Sequence, residues 1–325
     1  MTAVYITIDT EYAAGFAARG VLSAADRREN FRLSIEGRTD SGCAGIGYQM
    51  DVFERHGLKA VFFVDPMPAL VWGIEAITDV VGPIIDRGHD VQLHAHSEWL
   101  ALSGSQNPLG GRTGQNMADF TFEEQCEILA YASQALVAAG AQKPVAFRAG
   151  NYGANDDTLR ALAEIGIAYD SSHCPGIANS ACRISLGPED RLPLRHCGVT
   201  EVPVGCIAGA VNGLRHFQLT ALTDREMVAA LRHARDEKQP SITLVSHSFE
   251  LLSRDRRSVN HIVKRRFERF CAALSGLEGV GHATYRSAPP TPFAGKVAEP
   301  LPPSMLRTGL RYAEQAIANV VYGAR

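Results

Sequence analysis

Through the first 286 residues, short apolar runs recur, most of them closed by polar side chains that can bind a ligand or move a proton. Val4-Tyr5-Ile6-Thr7-Ile8 runs into Asp9-Thr10-Glu11, Lys59 to Val64 ends at Asp65-Pro66, and Asp90 to Leu93 leads to His94-Ala95-His96. Pro144 to Phe147 leads to Arg148, Ile167 to Tyr169 to Asp170-Ser171-Ser172-His173, and Ile242 to Val245 to Ser246-His247-Ser248. Runs of this length and composition read as buried strands. Helical patterns lie between most of them, and strand, helix, strand with short connections requires parallel pairing. About seven such units predict an α/β fold, a distorted (β/α)7-type barrel of mostly parallel strands. Asp9, Glu11, His94, Arg148 and His247 all fall at or just after a strand end, where βα loops carry active sites. An open doubly wound sheet would gather some of them too.

The helices read as Ala44–His56, Ile74–Arg87 with a break or kink at Gly82-Pro83, Phe120–Ala139 opened by a Thr121/Glu124 capping box, Asp156–Ile165, Asp224–Asp236 and Val259–Leu274. Glu201 to Val204 reads as a further strand and His282 to Tyr285 as a closing one. Tyr12 to Asp40, with Arg19, Arg27, Arg28, Arg32 and Arg38, reads as a long polar loop of the kind that builds substrate sites or simply as a solvated insertion. The organisation expected is a barrel domain over 1–286, a Pro-rich linker over 287–304 and an amphipathic helix over 305–325. That helix carries Leu306, Leu310, Ala313, Ile317 and Val320 on one stripe, expected to dock on its own domain, with self-association or membrane-surface contact as the alternative.

Composition narrows the partners. A net charge of -3 predicts no strong field for nucleic acid, and no run of about 18 apolar residues is present to span a bilayer. The opening MTAVYITID enters a strand without a basic and apolar leader, so the expected location is cytoplasmic. Seven cysteines with no CxxC pair read as reduced thiols.

His94 and His96 stand two apart, so on a strand both imidazoles emerge on one face. Together with Asp9 and Glu11 they offer the nitrogen and oxygen donors that a hydrolytic divalent ion uses. Taken singly, each has a plainer role: Asp9 as a helix cap, Arg148 as partner of Asp156 or Asp157, Glu11 as partner of a loop arginine, His247 as a buried histidine, Trp99 and Tyr152 as packing.

In order along the chain, Thr7 to Glu11 (TIDTE), Gly88 to His96 (GHDVQLHAH), Phe147 to Gly153 (FRAGNYG), the strand Glu201 to Val204 and Leu244 to Ser248 (LVSHS) resemble the five motifs of the polysaccharide deacetylase family, the NodB-homology or carbohydrate esterase family 4 enzymes. The likeness spans roughly residues 3 to 286. Two departures stand out: Thr10 separates the two acids of the first motif, and the histidines of the second are two apart rather than four, with Glu98 at the longer distance from His94. His96-Ser97-Glu98-Trp99-Leu100 is similar to the His-Pro-x-Leu that follows the family's second ligand, so His96 is favoured as a ligand and Glu98 is the possible substitute.

The resemblance implies hydrolysis of an N-acetyl group on a sugar. Its first motif makes Asp9 the general base and Glu11 a metal ligand beside His94 and His96, around one divalent ion, zinc first and cobalt or nickel next. Its third makes Arg148 the partner of Asp9, and Asn151 or Tyr152 would offer a backbone N–H to the oxyanion. His247 would protonate the departing amine, and Asp170 and His173 would reach sugar hydroxyls. With a cytoplasmic location, the substrate expected is an N-acetylated precursor of a surface polysaccharide such as O-antigen or capsule, with the arginines of the long loop meeting a diphosphate. A metal-free amidase of the same superfamily, allantoinase-like, and a non-catalytic sugar-binding barrel are the competing readings.

Overall fold

Nine strands form one sheet, and the strand Thr2–Thr10 (β1) lies between Ser241–His247 (β8) on one side and Val61–Val64 (β2) on the other. In this computed structural model, which describes residues 1–17, 22–210 and 213–323, the sheet continues through Asp90–Ala95 (β3), Ala146–Ala149 (β4), Tyr169–Asp170 (β5) and Val199–Glu201 (β7) to Leu194–His196 (β6). Val280–Ala283 (β9) pairs with the start of β1. Among the described residues of this sheet, only β6 is antiparallel to its neighbour. The sheet curls into a half-barrel whose ends stay unpaired as strands. Irregular segments reach across instead, with Gly205 N–H donating to Thr243 O at 2.9 Å and Val245 N–H to Phe217 O at 3.0 Å. The predicted mostly parallel (β/α) barrel is therefore present in distorted, incompletely closed form.

Side-chain alternation divides each strand between two cores. Val4, Ile6 and Ile8 face the helices, while Tyr5 joins Val61, Phe63, Ala146 and Tyr285 in a smaller cluster inside the curl. In parallel register Asp9 lies beside Phe63 and His247, Phe63 beside Gln92, and His94 beside Arg148. Residues in register share a face, so Asp9, His94, Arg148 and His247 emerge together at the carboxyl rim of the inner face.

The helices start where the sequence offers caps. Thr121 with Glu124, Thr223 with Glu226 and Asn155 with Thr158 form reciprocal capping pairs at Phe122–Ala138, Asp224–Asp236 and Asp156–Glu164. Helix Glu75–Asp86 runs through Pro83 without a break. Its face of Ala76, Ile77, Val80, Val81 and Ile84 stays buried and outweighs the lost hydrogen bond.

Two expectations need correction. The stretch after β1 is no long loop: among its described residues it holds helices Ala14–Ala17 and Ala24–Ser34, the second capped by Ser23 and Asp26. Arg27 pairs with Asp79, Arg32 with Glu29 and Arg38 with Glu36, so three of the five arginines are neutralised by local acids; Arg19 lies outside the described residues. The C-terminal helix Met305–Tyr322 docks through its polar side. Arg311 and Glu226 form a buried pair at 2.6 Å, Arg266 meets Glu314 at 2.7 Å, and Met305, Leu306, Ile317 and Val320 are exposed. One buried charged pair, with a second whose Glu314 stays partly exposed, can bind a helix more firmly than a discontinuous stripe when each charge finds its partner. Among the described residues, no helix is long and apolar enough to cross a membrane.

Candidate metal centre and active site

At the rim, Glu11 Oε2 lies 2.5 Å from His96 Nε2 and 3.1 Å from His94 Nε2, and the three donor groups fall within 4.8 Å of one another. His94 Nδ1 stands 2.8 Å from the carbonyl oxygen of Arg148. Only an N–H can satisfy that oxygen, so Nδ1 carries a proton and Nε2 is the ring nitrogen directed at Glu11, where an ion could take it as a ligand. This is the arrangement by which an outer hydrogen bond presets a metal-binding imidazole. Glu98 lies 3.3 Å from the opposite ring nitrogen of His96, Nδ1. It therefore sits behind the imidazole, outside the three-donor cluster.

Asp65 is a residue to which the sequence reading gave no role. It follows β2, donates its N–H to Thr10 O at 3.0 Å, and buries a carboxylate whose Oδ2 has no hydrogen-bond partner. Burial pushes its carboxyl up to about 6, against the lowering charges of His96 and His94. Burial alone would depress the His96 imidazole, yet Glu11, Glu98 and Asp65 around it hold it well above its ordinary range. So much negative charge around two imidazoles calls for a cation, and one carboxylate with two histidines is a donor set that divalent ions accept. The residues present fit the ion.

Beneath the cluster Arg148 is fully buried. Its Nη1 donates to Asp9 Oδ1 at 2.6 Å and Thr7 Oγ1 at 2.9 Å, while Nη2 and Nε reach Ser171 Oγ and Ser171 O at 3.0 and 3.1 Å. The Phe63 ring lies 4.5 Å below the guanidinium. Asp156 and Asp157 are engaged elsewhere, by Ser185 and His196 and by Arg160. Gly150 explains why the arginine is followed by small residues: a Cβ there would stand 2.7 Å from the His96 ring.

His247 approaches from the other side of Asp9. Its Nδ1 lies 2.8 Å from Glu250 Oε2, and Glu250 is itself held by Gln218 Nε2 at 2.9 Å and Thr220 Oγ1 at 2.5 Å. Burial lowers the imidazole's proton affinity, but the hydrogen bond and charge of Glu250, with Asp9 and Glu11 nearby, push it up to about 9. Glu250 was missed because a carboxylate three residues past a strand end carries no distinctive signal. A cavity of about 620 Å³ opens beside His247, walled by Arg254 and Arg256 and by Asn319 and Tyr322 of the C-terminal helix.

The remaining expected contacts divide. Asn151 is exposed at the rim and donates to Glu98 Oε2 at 3.4 Å; Tyr152 follows, its hydroxyl buried without a partner. Both adopt φ of 56°, a left-handed backbone that non-glycine residues hold only under constraint. Asp170 and His173, expected to touch substrate, are buried. Register places Asp170 beside Phe147 on the helix side, where it meets Glu201 and accepts from Ser172, and His173 Nε2 bonds Gly187 O. Burial and the neighbouring Asp170 push the Glu201 carboxyl well above the usual carboxylate range. Trp99 is fully buried against Trp72, a packing residue.

The sequence profile described as polysaccharide deacetylase matches residues 46–169. No curated protein sequence matches the chain. Among solved structures, a Mycobacterium smegmatis chain named as a polysaccharide deacetylase aligns with a TM-score of 0.53 at 16% identity, over 97% of this chain and 91% of that one. A family 4 carbohydrate esterase from Streptomyces lividans, in complex with acetate, aligns at 0.45 and 12% identity, over 92% and 98%. A family 4 pseudoenzyme from Bacillus anthracis aligns at 0.40 and 11%, over 89% and 66%. At such identities the first of these establishes a shared fold and says nothing of the reaction.

Proposed function

Starting from the match of residues 46–169 to the polysaccharide deacetylase profile, we propose that this protein is a metal-dependent hydrolase that removes an N-acetyl group from a sugar. The observation that carries the reading is the convergence of Glu11, His94 and His96 beside an Asp9–Arg148 pair and a His247–Glu250 pair on one rim. Glu11, His94 and His96 would hold one divalent ion, Zn²⁺ first and Co²⁺ or Ni²⁺ next. When bound, that ion supplies Lewis acidity to the acetyl carbonyl and lowers the pKa of water.

Asp9 accepts the proton of the attacking water, and Arg148 orients its carboxylate through the 2.6 Å contact. The strained turn at Asn151 and Tyr152 presents backbone to the oxyanion that develops on the acetyl group. His247, held protonated by Glu250, gives a proton to the nitrogen as the C–N bond breaks, so that a neutral amine leaves in place of its anion. The cavity beside His247 has the volume of a small-ligand site and is walled on one side by the C-terminal helix. That shape supports a short precursor of a surface polysaccharide, for O-antigen or capsule, over a long glycan strand.

The test is acetate release from N-acetylated sugars by protein loaded with each ion, alongside Asp9→Asn and His247→Ala. Turnover that disappears in both variants supports the reading. No acetate from any N-acetylated sugar, with the ion demonstrably bound, would overturn it.

A further inference from the structure

The cavity beside His247 holds a guanidinium that the proposed chemistry does not use. Arg256 is half-buried, sits in a tight turn at φ of 58°, and lies 3.6 Å above the Phe249 ring and 5.0 Å from that of Phe16. The one hydrogen bond its guanidinium makes among the described residues runs from Nη1 to Ser34 Oγ at 2.6 Å. No described carboxylate lies within 4.0 Å of it. The neighbouring acid, Asp255, is turned to Ser253 Oγ and the N–H of Arg257. By contrast, Arg266 in the same cavity is matched by Glu314 and Leu219 O, and Glu250 is consumed by His247, Gln218 and Thr220.

A guanidinium has five N–H donors, and one drawn half out of water with most of them unmatched bears a desolvation cost that only an anion offsets well. Stacking on Phe249 covers its face and leaves the fork-shaped edge for that anion. Phe249 also ties its position to the chemistry, because the His247 ring lies 5.3 Å from the same phenyl ring at 33°. Arg256 and His247 are therefore one aromatic ring apart, a separation that a pyranose and its substituent can bridge. In the proposed chemistry His247 serves the departing nitrogen, which would put the sugar on the cavity side of it.

We propose that Arg256 forms a subsite for an oxyanion, phosphoryl or carboxylate, carried by the sugar near its acetamido group, with Asn319 and Tyr322 of the C-terminal helix as the outer wall. The placement rests on the deacetylase reading; the anion preference does not.

The experiment measures binding by calorimetry of N-acetylglucosamine, N-acetylglucosamine 1-phosphate, N-acetylmuramic acid and inorganic pyrophosphate to metal-loaded wild type, Arg256→Gln and Arg256→Lys. Acetate release and melting temperature are followed in parallel. The expected result is that a charged sugar binds wild type about 10- to 100-fold more tightly than the neutral one, and that Arg256→Gln removes the difference. Preference for the 1-phosphate over muramic acid assigns a phosphoryl group, and the reverse a carboxylate. If Arg256→Gln does not fold, Arg256→Lys decides, since loss of the planar fork must still weaken the charged sugar, by about threefold or more. Equal binding of charged and neutral sugars, no binding of any oxyanion probe, or a preference that survives substitution in a folded variant overturns the subsite. Anion preference without acetate release would instead leave the subsite standing and remove the deacetylase reading.

Discussion

His247 turns its Nδ1 to the carboxylate of Glu250 at 2.8 Å, and Glu250 is locked in place by Gln218 and Thr220. The pair makes a strong base of the imidazole, so at neutral pH its other nitrogen carries a proton to give. With the group raised to about 9, activity as an acid persists up to that pH and falls above it as the proton is lost. Glu250→Gln removes the support and leaves the burial. The alkaline limb of kcat/KM is expected to move down by more than about one pH unit, read from the pH profile. An unmoved limb would count against His247 as the acid.

Metal content separates the roles of the carboxylates. Plasma mass spectrometry on protein purified without chelator should find about one divalent ion per chain, falling sharply in His94→Ala and Glu11→Ala. Glu98 stands behind His96, so Glu98→Gln should keep the ion and weaken its affinity by roughly tenfold. If Glu98→Gln instead empties the site while His96→Ala does not, the assignment of His96 is wrong.

Gly150 tests whether close packing holds His96 in place. Its Cα lies so near the imidazole that a methyl group would press to 2.7 Å of the ring. Gly150→Ala should lower metal affinity by about tenfold or more, with a melting temperature close to wild type in the presence of ion. Unchanged affinity would show that the ring can give way freely.

Arg148 is buried with Asp9, and removing one charge leaves the other uncompensated. Arg148→Met is expected to cost about 3–5 kcal/mol in urea unfolding. Adding Asp9→Asn should recover part of that loss, because the two act as a coupled pair. Strict additivity of the two substitutions would deny the coupling.

Arg311 fastens the C-terminal helix to Glu226. In Arg311→Ala the Glu226 carboxylate keeps only its capping contacts with Thr223. Limited proteolysis between residues 287 and 304 should speed up by roughly tenfold, as the helix opens locally. Cleavage at the wild-type rate would mean that Arg266 and Glu314 hold the helix without it.

What the sequence by itself determined were the strands and the residues at their ends. Apolar runs and their alternation are local properties, and because parallel strands share register, Asp9, His94, Arg148 and His247 had to meet once the strands paired. Alternation also sets Asp170 apart from these four. Asp170 follows a strand like the others, yet its register with Phe147 turns it to the helix side, and a two-residue strand offers too short a pattern to reveal which face it takes. Only the tertiary structure decided the rest: that His96 rather than Glu98 faces Glu11, that Asp65 and Glu250 complete the charge balance, and that the C-terminal helix docks by its arginine side. It also brought Arg256 to Phe249 and Ser34. Each of these depends on contacts between segments far apart in the chain, and the energy of a charge is set by what surrounds it, which no single segment specifies.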